Sequence, residues 1–164
     1  MQVADLLVGG ERWGTIVGFY GITLGPDGTS IGSGRYSVKI LMEQLDPLLR
    51  SDRRDRIVVA GDFNLTPKGM GGLADSYGLV DLVTSTANSR SPLDGCNDCD
   101  AGADCGHMWT HRNTDQPGAK AQNIDYILAT PELAGEVVSV SGGISDFPDA
   151  WEISDHAPVV ADFS

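Results

Sequence analysis

Three short segments carry side chains suited to acid–base or metal chemistry, and each adjoins a run of strand-forming residues. Gly61-Asp62-Phe63-Asn64 follows the apolar run Ile57–Ala60. A glycine closing a buried strand lets the backbone turn sharply. Asp62 and Asn64, two apart, share a side while the chain stays extended. Together they offer a proton acceptor and a neutral hydrogen-bond donor. An Asx-type turn capping the next segment accounts for the same residues equally well. Asp125 interrupts the apolar strand Ile124-Asp125-Tyr126-Ile127-Leu128. A carboxylate there is costly to bury alone, so it either meets a His or Arg or faces solvent, as period-two alternation permits. Ser154-Asp155-His156-Ala157-Pro158 sets an acid beside an imidazole just before a strand. A His partnered by a carboxylate is a general acid–base unit, because the carboxylate fixes its tautomer. An Asp-His pair taken alone is common and says little.

A fourth cluster is different in kind. All three cysteines, Cys96, Cys99 and Cys105, lie within ten residues, with His107 close behind. Thiolates and an imidazole at such spacing can close a structural Zn²⁺ site. A Cys96–Cys99 or Cys99–Cys105 bridge, or free thiols, fit the same spacing. Asp98, Asp100 and Asp104 with Gly102 loosely suggest a Ca²⁺ loop, without its closing Glu.

The elements that must position these residues follow from local pattern. Thr15–Tyr20 is β-branched and aromatic and reads as a strand. Residues 25–34 are a turn-rich loop. From Val38 to Arg50 the apolar residues Ile40, Leu41, Leu45, Leu48 and Leu49 make one helical face, with Pro47 a blemish near its end. Ile57–Ala60 is a buried strand, 73–83 holds short helical turns, and 92–118 is a long polar loop of a length usually tied to function, metal stapling or disorder. Residues 124–129, 137–140 and 158–163 read as strands. The order predicts an α/β or α+β fold with a mixed sheet.

The bulk numbers bound the function. The chain has 164 residues, 41% of them hydrophobic, which suffices for one globular core. Its formal charge is 11 − 23 = −12, which argues against broad non-specific nucleic-acid binding. Clustered carboxylates can nevertheless bind cations and so reverse the field a phosphate meets. No apolar run approaches the roughly 20 residues of a membrane span. No signal peptide is visible at the start, so the localisation is unknown and cytoplasmic by default.

Taken in order, GDFN at 61–64, WT at 109–110, IDYIL at 124–128 and SDHAPV at 154–159 resemble the endonuclease/exonuclease/phosphatase superfamily, the DNase I-like and exonuclease III-like enzymes. The resemblance runs from about Thr15 to Phe163. It implies a Mg²⁺- or Mn²⁺-dependent hydrolase of phosphate esters: a phosphodiesterase, nuclease or phosphatase. Asp62 would handle the proton of the attacking water or leaving oxygen. Asn64 would bind the phosphate or position water, and Asp125 would orient His156 at the scissile phosphate. Asp155 would hold the metal, and Tyr20 would contact the substrate. The resemblance also implies a largely antiparallel sheet with helices on one face, half of a four-layer α/β sandwich. Residues 1–164 would then be a single, partial domain corresponding to the C-terminal half. The family's metal-binding Glu comes from the earlier half, and neither Glu11 nor Glu43 stands in its context. The alternative function is therefore a catalytically impaired interaction module, or a chain needing a partner. A missing N-terminal half or a homodimer would cover the sheet's second face, on which Ile57, Val59, Ile127 and Val159 are expected.

Overall fold

The structure is a computed structural model that describes residues 1–22, 33–70, 72–85, 108–112 and 121–164. The cluster Cys96, Cys99, Cys105 and His107 lies outside the described residues, as does most of the long polar segment 92–118.

The chain opens with a hairpin. Strand β1 (Gln2–Val8) pairs antiparallel with β2 (Glu11–Tyr20) through the two-residue turn Gly9-Gly10. Both glycines have positive φ, +61° and +89°. That is what a hairpin turn matching the strand twist demands, and glycine meets it without steric cost. The tip of β2 then leads toward helix α1 (Ser33–Leu49), which carries the chain back to β3 (Ile57–Asp62), parallel to β2. The helix buries Val38, Leu41, Met42 and Leu45, spaced i, i+3, i+4 and i+7. It starts five residues before the expected position because its first residues, Ser33-Gly34-Arg35, carry no apolar periodicity. Pro47 falls inside it, in the last turn.

Short helices α2 (Pro67–Met70) and α3 (Leu73–Ser76) lead to β4 (Val80–Asp81) and α4 (Leu82–Ser85). Strand β5 (Asp125–Ala129) inserts between β3 and β4, antiparallel to both. The sheet order is β1-β2-β3-β5-β4. After α5 (Pro131–Ala134), strands β6 (Val137–Gly142) and β7 (Val159–Phe163) form a separate antiparallel pair, with α6 (Gly143–Asp146) between them. The architecture is thus mixed α/β with a mostly antiparallel open sheet, as expected.

The two faces of the main sheet have different covers. On one, α1 packs against Val17, Ile57, Val59, Phe63, Tyr126 and Leu128 to form the larger core. Each fully buried aliphatic or aromatic side chain contributes about 1.5–3 kcal/mol. On the other, Val58, Ile127, Ala129, Leu82 and Leu133 meet Val137, Val140, Val159, Ala161 and Phe163 of the β6–β7 pair. This corrects the expectation of an open second face. Ile57 and Val59 point at the helix, and Ile127 and Val159 are covered within the chain, because β6 and β7 fold back instead of extending the sheet. What stays open on that side is the β1–β2 end, where Leu6 is 42% and Ile16 38% exposed.

Candidate active site

The polar residues gather where β3 ends. Asp62 and Asp125 are register partners across the β3–β5 ladder, so their side chains leave the same face of the sheet. Gly61 makes the approach possible. Its φ is +149°, and a Cβ there would lie 1.9 Å from the Phe19 carbonyl oxygen. Just beyond, Asn64 adopts a left-handed φ of 50°. It is held by an Asx turn, its backbone N–H donating to Asp62 Oδ1 at 2.8 Å. Its Nδ2 donates to Asp62 Oδ2 at 2.9 Å and to the Gly21 carbonyl at 2.7 Å. The turn and the site therefore coincide: the backbone N–H and one side-chain N–H of Asn64 fix Asp62, and the other side-chain proton ties Asn64 to Gly21.

His156 comes from the segment before β7. Its Nδ1 lies 3.0 and 3.2 Å from the two oxygens of Asp125. An ionised carboxylate can only accept, so Nδ1 carries a proton, and in the neutral ring Nε2 is the nitrogen with the lone pair. That free nitrogen lies 4.0 Å from Asp62 Oδ2. Asp125, which stands first in β5 and not inside it, thus has the partner its burial requires, and its side chain is only 18% exposed. Thr110, wholly buried, accepts from the backbone N–H groups of Ile124 and Asp125 at 3.2 Å each and locks the entry to β5.

Burial sets the electrostatics. Desolvation pushes the Asp125 carboxyl above its ordinary value, against the lowering pull of Thr110 and His156. Asp62 is also raised, mainly by desolvation and further by the charge of Asp125, while the Asn64 N–H opposes.

A residue absent from the sequence-derived set joins this group. Residues 108–112 are stitched between two neighbours. His111 exchanges backbone hydrogen bonds with Gln122, and Arg112 N and Ala157 N tie the segment to the stretch around His156. The His111 ring then lies 4.7 Å from that of His156, and its Nε2 is 3.9 Å from Asp155 Oδ2. His111, Asp155 and His156 each offer a ligand atom, all within 4.8 Å of one another. The only sequence signal was that His111 directly follows the Trp109-Thr110 pair. Tyr20 is the β2 partner of Asp62 in the parallel register and is 66% exposed, at the same end of the sheet.

Beside these groups runs a groove of about 420 Å³, walled by Ala60, Gly61, Ile127 and Pro158, with Asp125 and His156 in its lining. It is an apolar-walled cleft with a few convergent polar groups at the strand ends, the usual form of a ligand site.

This is the fold of the endonuclease/exonuclease/phosphatase superfamily, the DNase I-like architecture. The chain superposes on a 3′-5′ exonuclease, NExo, from Neisseria meningitidis with a TM-score of 0.67 and 19% identity, over 99% of this chain and 70% of that one. NExo from Neisseria as a 3′ phosphatase variant bound to a product DNA hairpin gives 0.64 and 19% over the same shares. An AP endonuclease from Archaeoglobus fulgidus gives 0.59 and 20%, over 96% of this chain and 63% of that one. No protein-family model matches the sequence, and no curated protein matches it.

Proposed function

We propose that this chain is a metal-dependent hydrolase of phosphate esters, with DNA the favoured substrate class. The observation that carries the reading is the convergence of Asp62, Asp125 and His156 at one strand end, with an imidazole nitrogen left free toward Asp62. The likeness in fold to an exonuclease and to a DNA-bound 3′ phosphatase supports the substrate class.

Phosphate-ester cleavage needs a proton acceptor for the attacking water and a stabiliser for charge on the phosphoryl oxygens. Asp62 serves as the acceptor. Its raised pKa brings it nearer the working pH than an ordinary carboxyl. His156, held in one tautomer by Asp125, presents Nε2 to the developing charge, as a donor when protonated. Asn64 keeps Asp62 aimed, and Tyr20 borders the substrate at the rim. A bound divalent cation supplies Lewis-acid stabilisation of the phosphate, and Asp155 is the carboxylate placed to hold it. Mg²⁺ prefers six oxygen ligands, however, and one carboxylate flanked by two imidazoles fits that preference poorly.

The reading is tested with bis-p-nitrophenyl phosphate and with a DNA hairpin carrying a 3′ phosphate, each assayed with Mg²⁺, Mn²⁺ or Zn²⁺. Turnover is expected with at least one ion and lost on chelation. His156→Ala is expected to lower kcat about 10²–10⁴-fold with the fold intact by circular dichroism. A pure, folded wild-type chain that cleaves neither substrate with any ion would instead favour a non-catalytic interaction module.

A further inference from the structure

We infer that His111, Asp155 and His156 form a seat for a zinc-class divalent ion, in place of a Mg²⁺ site. The inference rests on the hydrolase reading for its purpose, but not for its measurement.

The donor set decides the class of ion. Imidazole nitrogens suit Zn²⁺, Co²⁺ and similar transition ions, whereas hard cations such as Mg²⁺ select oxygen. Two of the three donors here are imidazoles. Their ligand atoms lie within 4.8 Å of one another, and His111 Nε2 is already 3.9 Å from Asp155 Oδ2. Ligands around a tetrahedral Zn²⁺ stand about 3.3–3.5 Å apart, given bond lengths near 2.0–2.2 Å. Side-chain rotation of less than about 1.5 Å therefore closes the shell. Asp155 is 54% exposed and free to make that adjustment.

The surroundings point the same way. Metal-bound histidines typically donate their second ring N–H to a carboxylate, which fixes the ring and strengthens the ligand. His156 does this through Nδ1 to Asp125, which leaves Nε2 as the metal-facing atom. His111 is set by paired backbone hydrogen bonds on both sides. Among the described residues its Nδ1 is buried without a hydrogen-bond partner, so this ring lacks the second anchor that His156 has in Asp125. Three protein ligands leave one position of a tetrahedral ion open, the pattern of sites at which a substrate oxygen can bind. With an ion seated, Nε2 of His156 would be a ligand, the charge stabilisation assigned to it above would pass to the ion, and Asp62 would remain the proton acceptor.

Co²⁺ is the probe, added to metal-free protein without substrate, with visible absorption and calorimetry as readouts. A d–d absorption band is expected that Zn²⁺ removes and excess Mg²⁺ leaves in place. The band should persist in the triple variant Cys96→Ser/Cys99→Ser/Cys105→Ser, without sulfur-to-metal charge transfer. His111→Ala should weaken Co²⁺ at least about tenfold, as should Asp155→Asn, whose exposed position leaves the fold undisturbed. A band that vanishes with the cysteines, is unchanged in both ligand variants, or is displaced by Mg²⁺ at equal concentration overturns the seat. Binding without hydrolysis would leave the seat standing and defeat the hydrolase reading. Hydrolysis with no such binding would do the reverse.

Discussion

The two ends of strand β3 differ in how they treat charge. At its start, Arg56 makes a two-pronged pair with Glu136 at 2.6 and 2.7 Å and lies 4.6 Å over the Trp13 ring. Close by, Arg53 pairs with Asp5 and Arg12 with Asp55. Each of these arginines has an acid. At its end, six residues later, the only basic partners of Asp62, Asp125 and Asp155 among the described residues are histidines; none pairs with a Lys or Arg. The first end is electrostatically closed and serves the fold. The second is short of positive charge, and a proton or a metal ion is what can supply it. An overall charge of −12 concealed this division.

The largest expected effect comes from removing what holds the open end in place. Phe63 is fully buried between Asp62 and Asn64 and meets Phe19 and Tyr126 edge-on, with ring centroids 5.0 and 5.5 Å away. Phe63→Ala should cost about 3–5 kcal/mol in equilibrium unfolding. A loss below about 1 kcal/mol would show that the site is not braced by the core.

Next comes the charge of the open end itself. Asp62 is raised above its unperturbed 3.8 by burial. A carboxyl raised in the folded state contributes stability that is fully present below the unfolded value and lost as pH rises through the folded one. Asp62→Asn should therefore gain thermal stability over wild type as pH climbs from below 3.8 toward neutrality, while its turnover falls. A Tm difference that is flat with pH would mean Asp62 is not strained by burial.

The smallest effect belongs to the closed end. Glu136 is lowered from its unperturbed 4.5, first by its hydrogen bond with Arg56. Its stabilisation is complete above that value and fades as pH falls through the lowered one. Glu136→Gln should lower Tm slightly at pH 7, less so at high salt, and match wild type in strong acid. A drop as large as that of Phe63→Ala would mean the closed end carries more of the fold than its exposure suggests.

Much of this was legible locally. The buried run Ile57–Ala60, the helix over Leu41 and Leu45, and the strands around Tyr126 and Val159 all show a period or an apolar run that secondary structure imposes. The β1 strand was also written there, since Gly9-Gly10 after the apolar run Leu6–Val8 is a hairpin signal. The cover of the second face was not legible. Nothing in Val137–Val140 says whether that strand joins the main sheet or folds over it.

The sequence by itself determined the candidate residues of the centre, His111 excepted. Asp62, Asn64, Asp125, Asp155 and His156 announce themselves because each stands at the edge of an apolar strand, where a polar side chain needs a reason to be. Only the tertiary structure decided how they combine. The β3–β5 register brings Asp62 opposite Asp125, and the return before β7 gives His156 to Asp125. The short segment 108–112, threaded between residue 122 and the stretch around His156, delivers His111. Register and threading are set by pairing between residues 11 to 63 positions apart, which no local pattern records.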